Sequence, residues 1–182
     1  MHTDHLETLR NRSIFTSEFR KASHQLSLHL AEETAEKLPD RTGGVLIVPI
    51  LRAGLALLPA FMQKFPSASV GFVGIERDEK TAEPRVYYKK FPAEKRGVAI
   101  ILDPMLATGG SARVAVQALL AEGYRTEEIF YTGVIGSTVG VCALVCVLPV
   151  GNITLSAVDL KLDAKKYIVP GLGDFGDRYF GT

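Results

Sequence analysis

The sequence predicts an α/β protein with a mostly parallel central sheet flanked by helices, and three observations carry that expectation. Val98-Ala-Ile-Ile-Leu102 is a continuous apolar run of strand length, as expected of a strand covered on both faces. Beyond it, Thr108-Gly-Gly-Ser111 leads into a helical pattern with Ala112, Ala115, Val116 and Leu119 on one side and Gly123 as its stop. A second apolar run, Val45 to Ile50, is followed by Arg52 and Gly54 and then by a helix pattern through Leu58, Phe61 and Met62.

Taken in order, Ser17 to Leu38 reads as one amphipathic helix, with Thr16 or Ser17 able to cap it and Phe15, Phe19, Ala22, Leu26 and Leu30 recurring at three or four. Pro39 to Gly44 is a breaker cluster ahead of the Val45 strand. Val70 to Ile75 is a third strand, ending in the charge run Glu76 to Glu79, which composition alone reads as a solvated face. Glu83 to Pro92 alternates too poorly for a core strand, and its prolines and paired lysines suggest a projecting hairpin or flap. Ile129 to Ile135 and Asn152 to Val158 are further strands, the latter with Asp159 at its end. Between them Gly136-Ser-Thr-Val-Gly140 superficially resembles a nucleophile elbow, but it has Thr at its centre and no partner histidine.

Composition bounds the function. The chain has 182 residues, 47% hydrophobic and 23% charged, which suits one domain, 1–182, with a substantial core. A net charge of +1 gives no electrostatic case for nucleic acid. Cys142 and Cys146 lack the partners of a zinc site and are expected to be buried thiols in a reducing compartment. Met1 to Arg12 has no apolar signal-peptide core, and the apolar stretch from Val139 to Val150 is far below the roughly 20 residues that cross a bilayer, so no membrane partner and a cytoplasmic location are expected. All four histidines, His2, His5, His24 and His29, lie at or before the first long helix and are expected on the solvated surface, away from any phosphate motif.

The chemistry is concentrated where the Val98 strand stops. Asp103 stands at the carboxyl end, where open α/β sheets bind ligands, and Pro104 is expected to take the chain out of the sheet. Two glycines allow close approach of an anion, and the hydroxyls and free amides of the first helical turn point at it. A phosphate carried on a sugar fits this arrangement, and so does a plain glycine-bearing turn. No lysine follows the glycines as a P-loop requires, and Gly-x-Gly-x-x-Gly is not formed. Arg52, just past its own strand, either forks two hydrogen bonds onto a diphosphate or makes a surface salt bridge. Near the carboxyl terminus, Gly171, Gly173 and Gly176 describe a shaped loop whose main-chain groups can read a pyrimidine, while Tyr167, Ile168, Leu172, Phe175, Tyr179 and Phe180 are too apolar for a disordered tail.

Asp103-Pro-Met-Leu-Ala-Thr-Gly-Gly-Ser111 closely resembles the phosphoribosyl diphosphate loop of uracil phosphoribosyltransferases, with Asp-Pro where relatives of other specificity carry two acids. Val48-Pro-Ile-Leu-Arg-Ala-Gly54 resembles their diphosphate loop, and Tyr167 to Thr182 their uracil-binding terminus. The resemblance implies a type I phosphoribosyltransferase fold, with a hood formed by the chain termini and a flap. It implies transfer of ribose 5-phosphate from 5-phosphoribosyl 1-diphosphate (PRPP) to uracil, with Mg²⁺ bound through the donor, a homo-oligomer and GTP binding. By position, Arg52 and Arg77 hold the diphosphate and Asp103 the ribose hydroxyls. The donor loop comprises Asp103, Pro104, Met105, Leu106, Ala107, Thr108, Gly109, Gly110 and Ser111, its last five residues holding the 5-phosphate. Ile168, Gly173, Asp174 and Phe175 meet the base mainly through main-chain atoms, with Asp174 also facing the donor.

Four departures mark this chain. The arm before Val45, which carries the usual dimer contact of the family, is reduced to a few residues. Gly136 to Gly140 replaces Ala-Pro-Glu-Gly, and Asp159 to Lys166 replaces a segment holding Gly, Asn and a further Gly before the Tyr. Phe175 stands where a small residue is expected, and its ring would stack on the base or fill its pocket. A non-catalytic member that binds a nucleotide or the donor, acting as a sensor or partner subunit, is the alternative reading.

Overall fold

In the computed structural model, residues 2–39, 43–77 and 84–182 are described, the side chains of His2, Thr3 and Arg77 excepted. The chain runs α1 (His2–Arg10), α2 (Thr16–Lys37), β1 (Val45–Leu51), a 3₁₀ turn at Ala53–Ala56, α3 (Leu58–Lys64), β2 (Ser69–Val70), β3 (Phe72–Arg77) and β4 (Pro84–Lys90). It continues through β5 (Val98–Leu102), β6 (Met105–Leu106), α4 (Gly110–Ala121), β7 (Ile129–Ser137), α5 (Thr138–Val145), β8 (Ile153–Asp159), β9 (Lys161–Leu162), β10 (Ile168–Val169) and α6 (Phe175–Phe180). The main sheet has the order β4-β3-β1-β5-β7-β8, with the short β2 and β6 pairing onto β1 and β7. Every pairing in it is parallel except β3 with β4, so the expected mostly parallel sheet is present.

The apolar run of β5 behaves as a strand with two covered faces should. Val98, Ile100 and Leu102 join one core with α1, α2 and α3, while Ala99 and Ile101 join a second core with α4. Alternation of side chains along a strand divides them in this way. The register Pro49↔Leu102 brings the carboxyl ends of β1 and β5 level, so Arg52 and Asp103 leave the sheet at the same edge.

Several expectations are corrected in detail. The helix expected from Ser17 starts at Thr16, and its cap is neither Thr16 nor Ser17 but Phe15, whose N–H donates to Glu18 Oε2 at 3.1 Å. A carboxylate three residues into the helix satisfies this donor as well as a cap hydroxyl satisfies another. The third strand is broken at Gly71 into β2 and β3. Pro104 takes the chain out of the sheet only briefly: its carbonyl accepts from the Val134 and Ile135 amides at 3.0 and 3.1 Å, and Met105 and Leu106 then pair with Ile135 and Gly136. The flap is an antiparallel β3–β4 hairpin with a register shift at Gly74/Ile75. Its tip, including Asp78, Glu79 and Glu83, and residues 40–42 of the breaker cluster lie outside the described residues.

Cys142 and Cys146 are exposed, not buried. The i, i+4 spacing places both on one side of α5, while Gly140 and Leu144 face inward. His5, His24 and His29 are partly buried on α1 and α2 instead of fully solvated. Among the described residues no helix is long and apolar enough to cross a membrane.

The two chain ends assemble a hood over the carboxyl edge of the sheet. Arg10 donates to Asp159 at 2.7 and 2.8 Å and to the Gly171 carbonyl at 2.9 Å, and Asp159 also accepts from the Gly171 amide at 2.9 Å. The Arg10 guanidinium holds the Asp159 carboxyl below its ordinary value. Arg178 donates to the carbonyls of Leu9, Leu172 and Asn11, and its guanidinium sits 4.2 Å from the centre of the Phe19 ring. Arg10→Ala strands a largely buried carboxylate, so it is expected to cost about 2–3 kcal/mol in urea unfolding and to loosen the tail loop. A change below about 0.5 kcal/mol would show that the pair does not hold the hood.

Candidate active site

The junction after β5 is held from below and open above. Asp103 N–H donates to the Thr132 carbonyl at 3.1 Å, and the Asp103 carbonyl accepts from the Tyr131 hydroxyl at 2.9 Å. With its main chain occupied, Asp103 has its carboxyl group left over, on a partly buried residue. Burial pushes that carboxyl up to about 7, against the Met105 amide and the Tyr131 hydroxyl, which both favour the ionised form. Burial first, and then the Asp103 charge, raises the Tyr131 phenol above its ordinary value, so Tyr131 remains a donor.

Asp103, Met105, Leu106, Ala107, Thr108, Gly109, Gly110, Ser111 and Ala112 line a recess of about 30 Å³. Gly109 caps α4 at φ 77°, a left-handed conformation that glycine adopts without a Cβ clash. The amides of Gly110, Ser111 and Ala112 then open a 12-residue helix and have no carbonyl one turn back to receive them. A helix start of this kind suits an anion, and the Gly110 amide also reaches the Thr108 hydroxyl at 3.5 Å.

A support for this loop was missed in the sequence. Ser137 caps α5 by accepting from the Gly140 amide at 2.9 Å, and its hydroxyl donates to the Ala107 carbonyl. A Cβ on Gly140 would fall 2.4 Å from the Leu106 carbonyl oxygen and 2.6 Å from that of Ala107. The pentapeptide Gly136 to Gly140 is therefore a buttress under this recess. Its signal was a small residue at each end of a helix start, which is too common to single out.

A larger cavity of about 390 Å³ adjoins the recess and shares Met105 and Ala107 with it. The remaining wall comes from Ala53, from Lys165 to Ile168, and from Gly173 to Gly176. All four expected base-contacting residues, Ile168, Gly173, Asp174 and Phe175, are among them. Ile168 and Phe175 are 3% and 1% exposed, and their side chains belong to the core. The Phe175 ring neither stacks in the cavity nor fills it: it packs edge-on against Phe19 at 5.1 Å and stacks with Tyr179 at 6.1 Å. Gly171 and Gly173 have positive φ, as a shaped loop requires, but Gly176 lies inside α6. The Asp174 side chain caps α6 by accepting from the Asp177 amide at 2.9 Å.

Arg52 is exposed, with Nη2 3.4 Å from Asp177 Oδ1 and its guanidinium 5.8 Å from the centre of the Phe180 ring. Its neighbour Ala53 lines the larger cavity, and Gly54 lets this loop approach the β5 end, since a Cβ there would lie 2.3 Å from the Leu102 carbonyl oxygen. Arg77 ends β3, and its side chain is outside what is described. None of the described histidines lines either space.

Residues 40–182 match the profile of the uracil phosphoribosyltransferase family. This chain belongs to that family. A uracil phosphoribosyltransferase from Malacoplasma penetrans is 48% identical over 139 residues, 76% of this chain and 66% of that one, so the matched stretch spans just under two thirds of the relative. A uracil phosphoribosyltransferase from Lactococcus lactis is 38% identical over 97% of this chain and 92% of its own length. The solved AQ2163 protein from Aquifex aeolicus superposes with a TM-score of 0.88 at 31% identity, covering 100% of this chain and 94% of that one. The fold is the type I phosphoribosyltransferase fold, a mostly parallel central sheet flanked by helices.

Proposed function

We propose that the protein is a uracil phosphoribosyltransferase, which transfers ribose 5-phosphate from PRPP to N1 of uracil and releases diphosphate. The observation that carries this reading is the adjacency of the two spaces: a small recess at the start of α4 and a larger cavity, which share Met105 and Ala107. A nucleoside monophosphate places its phosphate and its base at two such neighbouring sites.

In this reading the amides and hydroxyls from Ala107 to Ser111 hold the 5-phosphate, and Asp103 accepts from the ribose hydroxyls. As the C1–oxygen bond lengthens, its electron pair leaves with the diphosphate and positive charge gathers on the ribose ring. Asp103 stabilises the ring charge, and Arg52, joined by Arg77, stabilises the leaving group. The hood holds the base for in-line attack, and the flap closes over the charged centre and excludes water. A hard ion such as Mg²⁺ would be carried by the diphosphate oxygens of the donor. Mg²⁺ on the donor would neutralise the leaving group as it forms.

The test is incubation with PRPP, Mg²⁺ and labelled uracil, in which UMP is expected to form. Donor binding without UMP would reject the reading in favour of a non-catalytic donor-binding member. Arg52→Ala is expected to lower turnover by about 10²–10³. The fold should persist, because the exposed 3.4 Å pair with Asp177 contributes little. Unchanged turnover with an unchanged thermal melt would take Arg52 out of the site.

A further inference from the structure

Lys166 is the one non-glycine residue, among those described, with a positive φ, at 68°. Glycine suits that conformation better than a residue with a Cβ. The turn is enforced locally: Asp163 Oδ1 accepts from the Lys165 and Tyr167 amides at 2.8 and 2.9 Å, and the Lys166 amide donates to the Asp163 carbonyl at 3.0 Å. Its result is that Lys165 and Lys166 stand together on the wall of the 390 Å³ cavity.

The charges around them leave that wall net positive. Asp174 is the acid on the cavity wall, so two lysines stand against one carboxylate there, which also caps α6. Asp163 keeps its charge in the turn but does not line the cavity, and Asp177 is shared between Arg52 and the Thr182 hydroxyl. Asp103 faces the adjoining recess. Among the described residues no acid lies within salt-bridge distance of either lysine ammonium.

A cavity wall with two lysines and one carboxylate suits a ligand that carries negative charge. Neutral uracil is not one, and its N1–H nitrogen is a poor nucleophile because its electron pair is delocalised into the neighbouring carbonyls. We propose that Lys166, with Lys165 beside it, binds uracil as its N1-deprotonated anion and so activates the base for attack on the ribose. The inference rests on the uracil phosphoribosyltransferase reading. The N1 proton passes to water, and the freed N1 pair forms the C1–N1 bond. The C1–oxygen pair departs with diphosphate, and the ammonium offsets the charge spread over O2 and O4 of the ring before transfer. The lysine side chain is then the reason for a non-glycine residue at a glycine conformation.

The deciding variant is Lys166→Gly, which removes the ammonium and suits the backbone, so its thermal midpoint should match or exceed that of the wild type. With uracil, kcat/KM at neutral pH is expected to fall about tenfold and the alkaline rise of its pH profile to move up by about one unit. With 5-fluorouracil, whose N–H is more acidic, the loss should be smaller, and KM for PRPP should be unchanged. Lys166→Arg should restore most of the uracil rate. Equal losses for the two bases, or a raised KM for PRPP alone, would overturn the inference and place the charge on the donor. Wild-type rates in Lys166→Gly would also overturn it while leaving the enzyme reading intact, whereas a wild type that makes no UMP fails that reading first.

Discussion

Asp103→Asn is expected to lower kcat/KM for PRPP by about 10²–10³, the loss typical of one preorganised electrostatic group in a water-poor site. The substitution keeps the shape of the side chain and removes its charge. The Asp103 main chain is held independently by Thr132, Tyr131 and the β7 pairing, so the loop should not collapse. The wild-type carboxyl must be ionised to accept two ribose hydroxyls and to face a cationic ring, and burial sets it at about 7 in the free protein. The acid limb of kcat/KM for PRPP should therefore rise through about pH 7, and the asparagine variant should lack that limb.

Stability moves the other way. The folded carboxyl sits above its ordinary unfolded value of 3.8. Between roughly pH 4 and 7 the unfolded chain has shed this proton and the folded chain has not, so the contribution of Asp103 to stability falls as pH rises across that window. The variant has no such fall. Its stability relative to the wild type should improve from pH 5 to pH 8 by on the order of 2 kcal/mol, after a discount for partial exposure. Near-normal rates, or an unfolding difference independent of pH, would contradict the assigned role.

Gly140→Ala is expected to damage donor binding although Gly140 touches no substrate. The added Cβ would meet the carbonyl oxygens of Leu106 and Ala107, which are main chain and cannot swing aside. The phosphate loop would have to move, and a displacement of about 1 Å costs on the order of a hundredfold in rate. Overpacking should also cost about 1–3 kcal/mol of stability. Gly151→Ala is the matched control, because nothing lies within 4 Å of its added Cβ. A Gly140→Ala protein that binds UMP and PRPP like this control would show that α5 does not buttress the loop.

The parts of the fold legible in the sequence are those written in local apolar pattern. β1 and β5 are buried on both faces and so read as unbroken apolar runs, and the strand-to-helix turn after Asp103 announces itself through Gly109 and Gly110. What stayed illegible depends on partners far along the chain. The return of Met105 and Leu106 to the sheet requires β7, some thirty residues on, and Arg10 meets Asp159 across 149 positions. Burial of the cysteines was misjudged because the apolar stretch around them gives no sign of which side of α5 packs inward. The larger cavity was half legible: the tail glycines and Ile168 pointed to it. Lys165 and Lys166 did not, because a lysine pair ordinarily signals a solvated surface.

The most direct measurement is a crystal structure of the protein soaked with UMP. The phosphate should lie within hydrogen-bond distance of the amides and hydroxyls from Thr108 to Ser111, the ribose hydroxyls on Asp103, and the pyrimidine against the main chain of Ile168 and Gly173. A phosphate bound away from the Gly109–Gly110 turn, with that recess closed by side chains, would contradict the account.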